Sequence, residues 1–159
     1  SVRWKDFDFN LHFQGAGKSN VQILGKNVFA FSENQWGNVF KGMLDDRWIS
    51  ADISGTTATE NPNASYPRLS YGGNSNNQQT SSFWLRDMSY FRLKNLDFGY
   101  TLPKSIVNKI HFNTVRFYIT GTNLLTWSKF DTWDPESLQT RGEEYPLTKS
   151  VTVGVQVNL

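Results

Sequence analysis

The sequence predicts an all-β protein, and three features of the chain carry this prediction. Four segments alternate between apolar and polar residues, as strands with two different faces do. Aromatic residues make up 15% of the 159 residues, and only 19% are charged. Asn, Ser and Thr together number 43 whereas Ala numbers 5, so residues that favour helices are scarce.

The composition also argues against several classes of protein. The net charge of +2 provides little electrostatic attraction for the phosphates of nucleic acid, so we expect no nucleic-acid partner. The chain has no cysteine, which excludes disulfides, thiol nucleophiles and zinc sites built on thiolates. No run approaches the roughly 18 apolar residues of a transmembrane helix. A membrane β-barrel stays open, because each of its strands needs only about 9–11 residues.

The first strand is predicted near residues 4–15. Polar side chains at Asp8, Asn10, His12 and Gln14 alternate with apolar ones, so the two kinds point to opposite faces. The apolar members are Phe7, Phe9, Leu11 and Phe13. Because the chain opens almost directly into this strand, we expect it to be a fragment of a longer protein.

Three further strands are predicted near residues 90–102, 114–127 and 149–159. The last two have apolar positions in strict alternation, which are Val115, Phe117, Ile119, Val151, Val153, Val155 and Val157. The strand near 90–102 changes phase at Lys94, because Phe91 and Leu93 are odd-numbered whereas Leu96 and Phe98 are even-numbered. A β-bulge is one explanation. We favour the other, in which the strand leaves the membrane there and its apolar residues turn inward.

The connections favour a membrane barrel over a soluble sandwich. A long loop spans residues 16–89, a short turn spans 103–113, and a second loop spans 128–148. Long loops at one end and short turns at the other are typical of outer-membrane barrels. We therefore expect the apolar residues of the first, third and fourth strands to face lipid. A soluble carbohydrate-binding β-sandwich, which would bury the same residues in a core, remains the alternative.

Candidate catalytic and ligand-binding motifs are weak. Residues 15–19 resemble the end of a phosphate-binding loop. The motif also requires a glycine five positions before Gly17, but that position is occupied by His12. His12 and His111 lack metal-ligand spacing, and the acidic pairs at 45–46 and 143–144 are neighbours in loops. We expect no enzyme, no cofactor and no metal. Aromatic and charged loop residues are the candidate contacts with a substrate or a partner, namely Trp36, Trp48, Tyr66, Tyr71, Trp84, Arg86, Trp133 and Asp134.

Several motifs resemble those of one known family. Residues 84–103 read W-L-R-D-M-S-Y-F-R-L-K-N-L-D-F-G-Y-T-L-P, residues 115–126 read V-R-F-Y-I-T-G-T-N-L-L-T, and residues 134–136 read D-P-E. They resemble the W-x-x-D-x-S-Y-x-R-L-K-N-x-x-x-G-Y-x-L-P, R-x-Y-x-x-G-x-N-L-x-T and D-P-E segments of the SusC/RagA-like TonB-dependent transporters of Bacteroidota. The resemblance covers residues 84–159 and, less specifically, 4–17. One departure is Leu159, where the family often has Phe.

The resemblance implies the carboxy-terminal strands, about four, of a transmembrane β-barrel of about 22 strands in the bacterial outer membrane. The loops 16–89 and 128–148 would face outward and the turn 103–113 would face the periplasm, while the plug domain and amino-terminal part lie outside this chain. The implied activity is import of glycan or peptide fragments. The implied partners are the rest of the barrel and its plug, a SusD-like surface lipoprotein, TonB, the substrate and the lipid bilayer.

Overall fold

The computed structural model describes residues 1–32, 37–55, 57 and 60–159. The chain divides into two units. Unit 1 consists of Ser1–Ser19, Met88–Glu136 and Tyr145–Leu159, and unit 2 consists of Asn20–Asp87 and Ser137–Glu144. Seven strands are described, which are β1 (Val2–Trp4), β2 (Phe7–Ala16), β3 (Asn20–Gln22), β4 (Leu85–Asp87), β5 (Tyr90–Thr101), β6 (Thr114–Ser128) and β7 (Ser150–Asn158).

Unit 1 is built on one antiparallel sheet with the strand order β1-β2-β5-β6-β7. The strands lie in the sheet in the same order as in the chain, and all four pairs are antiparallel, as in the wall of an up-and-down barrel. The helical turn α1 (Lys104–Val107) and a 3₁₀ turn at Asn108–Ile110 connect β5 to β6, and another 3₁₀ turn at Pro135–Ser137 follows β6. The predicted all-β fold with antiparallel strands is confirmed.

The first predicted strand is two strands in the structure. Lys5 and Asp6 form a two-residue turn in which Lys5 has a φ of 54°, and Trp4 then pairs with Phe7. A positive φ in a two-residue loop lets the chain reverse without splaying its strands. Residues 2–4 therefore form a fifth strand of this sheet, where the sequence predicts four.

The phase change in β5 is a β-bulge. Leu93 pairs with Phe13 and Asn95 pairs with His12, so Lys94 is an extra residue on β5. The extra residue restores the alternation, because Phe91 and Leu93 then lie on the same face as Leu96 and Phe98. The expectation that the apolar residues turn inward at this point is wrong.

Unit 2 contains the two-stranded antiparallel sheet of β3 and β4, with Asn20 paired to Asp87. It also contains two short helices, Lys41–Asp45 and Ala51–Ser54, and a 3₁₀ turn at Ser82–Trp84. Its buried residues include Ile23, Val28, Met43 and Trp84. The sequence predicts a long outer loop over residues 16–89, with a short helix within residues 38–48, but no core, so this small core is a finding of the structure. Within the described residues, no helix is both long enough and apolar enough to cross a membrane.

Candidate functional site

One face of the sheet in unit 1 is a continuous apolar surface. Cross-strand rows such as Phe9–Phe98–Ile119–Val153 place aromatic and aliphatic side chains next to one another on four strands. The side chains are exposed, and Val153 is 76% exposed. The predicted lipid-facing residues that are exposed on this face are Phe7, Phe9, Leu11, Phe13, Phe117, Ile119, Val151, Val153, Val155 and Val157.

Aromatic rings cluster at both ends of this apolar face. At one end, the ring centroid of Phe7 lies 4.7 Å from that of Tyr100 and 6.4 Å from that of Trp4. At the other end, the centroid of Phe91 lies 5.2 Å from that of Phe13 and 5.8 Å from that of Trp127. The six residue steps from Phe7 to Phe13 span about 20 Å at the usual rise of a strand. Aromatic belts flanking an apolar band are typical of outer-membrane barrels.

Val115 is the exception among the predicted lipid-facing residues. It is only 6% exposed, and it lies near the start of β6, against which α1 packs. The turn that connects β5 to β6 covers this end of the strand. Alternation correctly places Val115 on the face of Phe117, but the packing of the turn removes it from the exposed surface, so this part of the prediction is wrong.

The opposite, polar face carries an arginine cluster near the β1–β2 turn. The Arg116 guanidinium donates hydrogen bonds to both carboxylate oxygens of Asp8, with an Nε–Oδ1 distance of 3.0 Å, and to Asp97 at 2.6 Å. The guanidinium lies over Gly99, where the Cβ of any other residue would overlap it. The ring of Tyr118 likewise lies over Gly154. The two glycines therefore make room for long side chains that cross between strands.

A second arginine cluster lies at the other end of the polar face and involves a loop. Arg92, on β5, is 3% exposed. It donates to Thr126 Oγ1 of β6 at 2.9 Å, to Asp134 at 2.6 Å and to Glu136 at 2.8 Å. Lys94 also contacts Glu136, at 2.6 Å. Ion pairs from Arg92 and Lys94 to Asp134 and Glu136 therefore attach the loop after β6 to the sheet. We name these four residues, together with Thr126, the Arg92 cluster.

Asp134 is the central acceptor of the Arg92 cluster. Burial of its carboxyl raises the pKa, but the hydrogen bond from Arg92 and those from the backbone N–H groups of Glu136 and Leu147 outweigh it. The pKa of Asp134 therefore lies below its ordinary value of 3.8. Asp134 is predicted to contact a substrate or partner, whereas in the structure its carboxylate binds Arg92.

Unit 2 contains an open cleft with aromatic walls. Its lining includes Trp48, Tyr66, Arg68, Phe83 and Trp84. The rings of Tyr66 and Phe83 are perpendicular, with centroids 6.1 Å apart. Trp48 and Phe83 keep part of their rings exposed. Aromatic faces beside polar groups are the usual components of a site for a sugar or a peptide side chain.

Hydrogen bonds to the Asp46 carboxylate hold one wall of this cleft. The carboxylate accepts bonds from the backbone N–H of Ser65 at 3.2 Å and from the Asn61 amide at 3.3 Å. The bonds from Ser65 and Asn61 hold the pKa of Asp46 below its ordinary value. Trp48 donates its backbone N–H to the Tyr66 carbonyl at 2.8 Å. Asp46, one of the acidic residues considered for catalysis, thus positions the cleft wall.

The other predicted contact residues have different environments. Trp84 is 4% exposed, and its indole N–H donates to the Asn77 carbonyl at 2.7 Å. It forms the core of unit 2 and the floor of the cleft, so it offers little surface for a contact. Arg86 donates to the carbonyls of Phe83 and Leu85. Tyr71 is largely exposed, away from the cleft lining.

Two predicted contact residues remain. Trp133 packs perpendicular to the buried Phe130, with centroids 4.8 Å apart. Its indole N–H has no hydrogen-bond partner in the described part of the chain. Trp36 lies outside the described residues. The residues 1–32, 37–55, 57 and 60–159 contain no group of three metal-ligating side chains.

Sequence comparisons identify relatives of a single kind. No protein-family model matches the chain. TonB-dependent receptor P3 of Formosa agariphila is 33% identical over 136 residues, which covers 86% of this chain and 12% of that protein. TonB-dependent receptor P26 of the same organism is 27% identical over 170 residues, which covers 99% of this chain and 16% of that protein. The chain therefore spans less than a fifth of either relative.

Solved structures agree with the sequence relatives. The RagAB peptide transporter matches 97% of this chain with a TM-score of 0.65 and 26% identity, over 16% of its own chain. The RagAB peptide importer in its open-open state matches 98% with a TM-score of 0.63 and 25% identity, again over 16% of that chain. The predicted resemblance to part of a SusC/RagA-like TonB-dependent receptor is confirmed, and with it the fold as a fragment of such a barrel. The relatives bear the names of receptors and transporters rather than of enzymes.

Proposed function

Because the chain resembles a segment of TonB-dependent receptors over most of its length, we propose that it forms part of the barrel wall of an outer-membrane active transporter. The parent protein imports oligosaccharide or peptide fragments, and TonB supplies the energy through a part of the protein outside this chain. A SusD-like surface lipoprotein works with it, as the family resemblance implies. The chain itself does no covalent chemistry.

The single observation that supports this proposal best is the exposed apolar face of the sheet. Its side chains alternate with polar residues, and aromatic clusters lie at both of its ends. Exposed apolar area of this extent is a liability in water, whereas in a bilayer it is the surface that contacts lipid. A soluble sandwich would bury the same residues between two sheets.

We further propose that loop aromatics contribute to substrate contact through the cleft of unit 2. Trp48 and Phe83 offer partly exposed rings, and Arg68 adds a cation at the same cleft. Rings bind the flat faces of sugars as well as apolar peptide side chains. The chemistry of the cleft therefore fits both substrate classes, and the experiment must include both.

The test uses the full-length parent protein with labelled oligosaccharides and labelled peptides. We expect one class to bind without being cleaved, and its uptake by cells to stop when TonB is deleted. Trp48→Ala and Phe83→Ala should each weaken binding by roughly fivefold to 30-fold, which corresponds to about 1–2 kcal/mol for an aromatic contact residue. Isothermal titration or fluorescence anisotropy measures the affinity.

Tyr145→Ala is the matched control, because it also removes an aromatic ring but from a site in unit 1 where Tyr145 is 96% exposed. Its affinity should equal that of the parent. Uptake that persists without TonB would contradict the transport proposal. Unchanged affinity in both cleft variants would contradict only the role of the cleft.

A further inference from the structure

The loop that follows β6 lies on the polar face of the sheet. Arg92 is aligned with Gln14 of β2 and with Thr126 of β6, and all three side chains belong to that face. Gln14 and Arg92 both contact Glu136 of the loop, at 3.2 Å and 2.8 Å. The neighbouring residues Phe91 and Leu93 lie on the apolar face, away from the loop. The contacts thus fix which side of the sheet the loop covers.

Burial on the polar face agrees with this placement. Tyr90 and Arg92 belong to the polar face of β5, and both are buried. Within the loop, Phe130 and Pro135 are buried as well. A polar face that borders an open, water-filled space would leave such residues exposed. The segment 130–136 therefore covers this part of β5 instead of extending away from it, while Gln14 and Thr126 on the flanking strands stay exposed.

The position of the segment depends on one arginine. Both carboxylates that neutralise Arg92 come from the loop, while its third bond, to Thr126, holds the guanidinium against the sheet. A buried guanidinium without its carboxylates is strongly unfavourable, so the loop and the sheet stabilise each other. A lysine at position 92 is a poor substitute for the arginine. The planar guanidinium donates to two carboxylates in fixed directions, whereas an ammonium group is a single point charge.

We propose that Arg92 is a positioning residue that folds the segment 130–136 inward, over the polar face, so that this segment narrows the opening of the barrel. The proposal rests on the proposed function, because only in a barrel is the polar face the inner one. In that setting, the motif containing Arg92 and Lys94 and the D-P-E motif at 134–136 are two halves of one attachment. The segment then limits the size of what enters beside it.

The first experiment measures trypsin cleavage after Lys129 in the detergent-solubilised full-length protein, with the site identified by mass spectrometry. Lys129 is exposed, but the next residue, Phe130, is buried and donates its backbone N–H to Ser128 Oγ at 3.1 Å. Cleavage there requires the loop to open. Because proteolysis follows the population of the open form, Arg92→Ala should accelerate cleavage by about tenfold or more. Arg92→Lys should give an intermediate rate.

Arg116→Ala is the matched control, since Arg116 also joins two carboxylates on the polar face but contacts no loop residue among those described. It should leave cleavage after Lys129 unchanged. If Arg92→Ala does not assemble, the double variant Asp134→Asn with Glu136→Gln tests the same attachment from the loop side. Equal cleavage in the parent and in the Arg92 or double variant, or equal acceleration by Arg116→Ala, would overturn the proposal. Because no transport is measured, this outcome is distinct from a failure of import.

The second experiment tests the narrowing itself. Thr120→Cys places a thiol on the polar face of β6, about 13 Å along the sheet from Thr126, because the two threonines align through β5 with Asn10 and Gln14 of β2, four residues apart. Small and bulky membrane-impermeant thiol reagents are added to whole cells, and labelling at this position is quantified. The parent should favour the small reagent, and Arg92→Ala should reduce this preference by about fivefold or more, since an opened loop admits larger molecules. The same preference in both proteins would overturn the inward position of the segment.

Discussion

The two faces of the sheet in unit 1 are stabilised in different ways. The apolar face carries aromatic and aliphatic side chains in cross-strand rows, and most of these side chains are exposed. The polar face contains two separate arginine clusters, around Arg92 and Arg116, and two glycines that accommodate long side chains. Its partners lie within the chain. From this comparison we expect the exposed apolar positions to tolerate exchange with one another, whereas the polar positions depend on particular neighbours.

The largest difference between the faces is expected for a new charge. Val153→Arg places a cation in the middle of the apolar face and should cost about 2–4 kcal/mol of barrel stability, as lipid-facing arginines do near the bilayer midplane. Thr152→Arg, one residue away on the polar face, is the matched control and should cost much less. The measurement is urea unfolding of the full-length protein in lipid vesicles. Equal costs would contradict the assignment of the lipid-facing side.

A smaller effect is expected where a glycine is replaced on the polar face. Gly99→Ala makes the Arg116 guanidinium move away from Asp8 and Asp97, because the new methyl group occupies its place. The cost should be about 1–3 kcal/mol, the usual range for overpacking. Gly17→Ala is the control, since an added Cβ there meets nothing within 4 Å. Thermal unfolding that is the same for both variants would show that Arg116 adjusts without loss.

The smallest effect is expected from pH. The pKa of Asp134 is lowered in the folded protein, so its contribution is present above the ordinary value of 3.8 and is lost only as pH falls through the lower, folded value. Hydrogen exchange of the Glu136 and Leu147 amides, which donate to Asp134, should stay protected from pH 7 to pH 5. The Leu102 amide, which donates to the backbone carbonyl of Val115, is the control. Loss of protection above pH 5 at Glu136 alone would contradict this assignment.

The four long strands are predictable from sequence because alternation over many residues is a strong and local signal. The short strands β1, β3 and β4 are not, since each has three residues and too few positions to show a period. The phase change at Lys94 is visible in the sequence, but only the pairing with β2 distinguishes a bulge from a change of environment. Alternation also predicts only the face on which Val115 lies, and not its burial under the turn that connects β5 to β6.

The candidate sites are less predictable, for a related reason. Nothing in the local sequence distinguishes Trp48 from Trp84, because both are aromatic residues in a predicted loop. In the structure, Trp48 is partly exposed whereas Trp84 belongs to the core of unit 2. The Arg92 cluster joins residues about forty positions apart, so no local pattern identifies it. The motifs that carry the family resemblance contain both halves of this cluster, and only the structure shows that the two halves are in contact.

The small sheet of β3 and β4 has a consequence for the order in which the chain folds. β2 and β5 are neighbours in the sheet, but residues 17–89 separate them along the chain. Each doubling of loop length adds about 0.6 kcal/mol to the entropic cost of closing the loop. Pairing of Asn20 with Asp87 brings the two ends of that insertion together. Ser19 and Met88 are then adjacent, and the Met88 N–H bonds to the Ser19 carbonyl at 2.7 Å. A unit 2 that folds first would convert a slow, long-range strand pairing into a local one, like the closing of a hairpin.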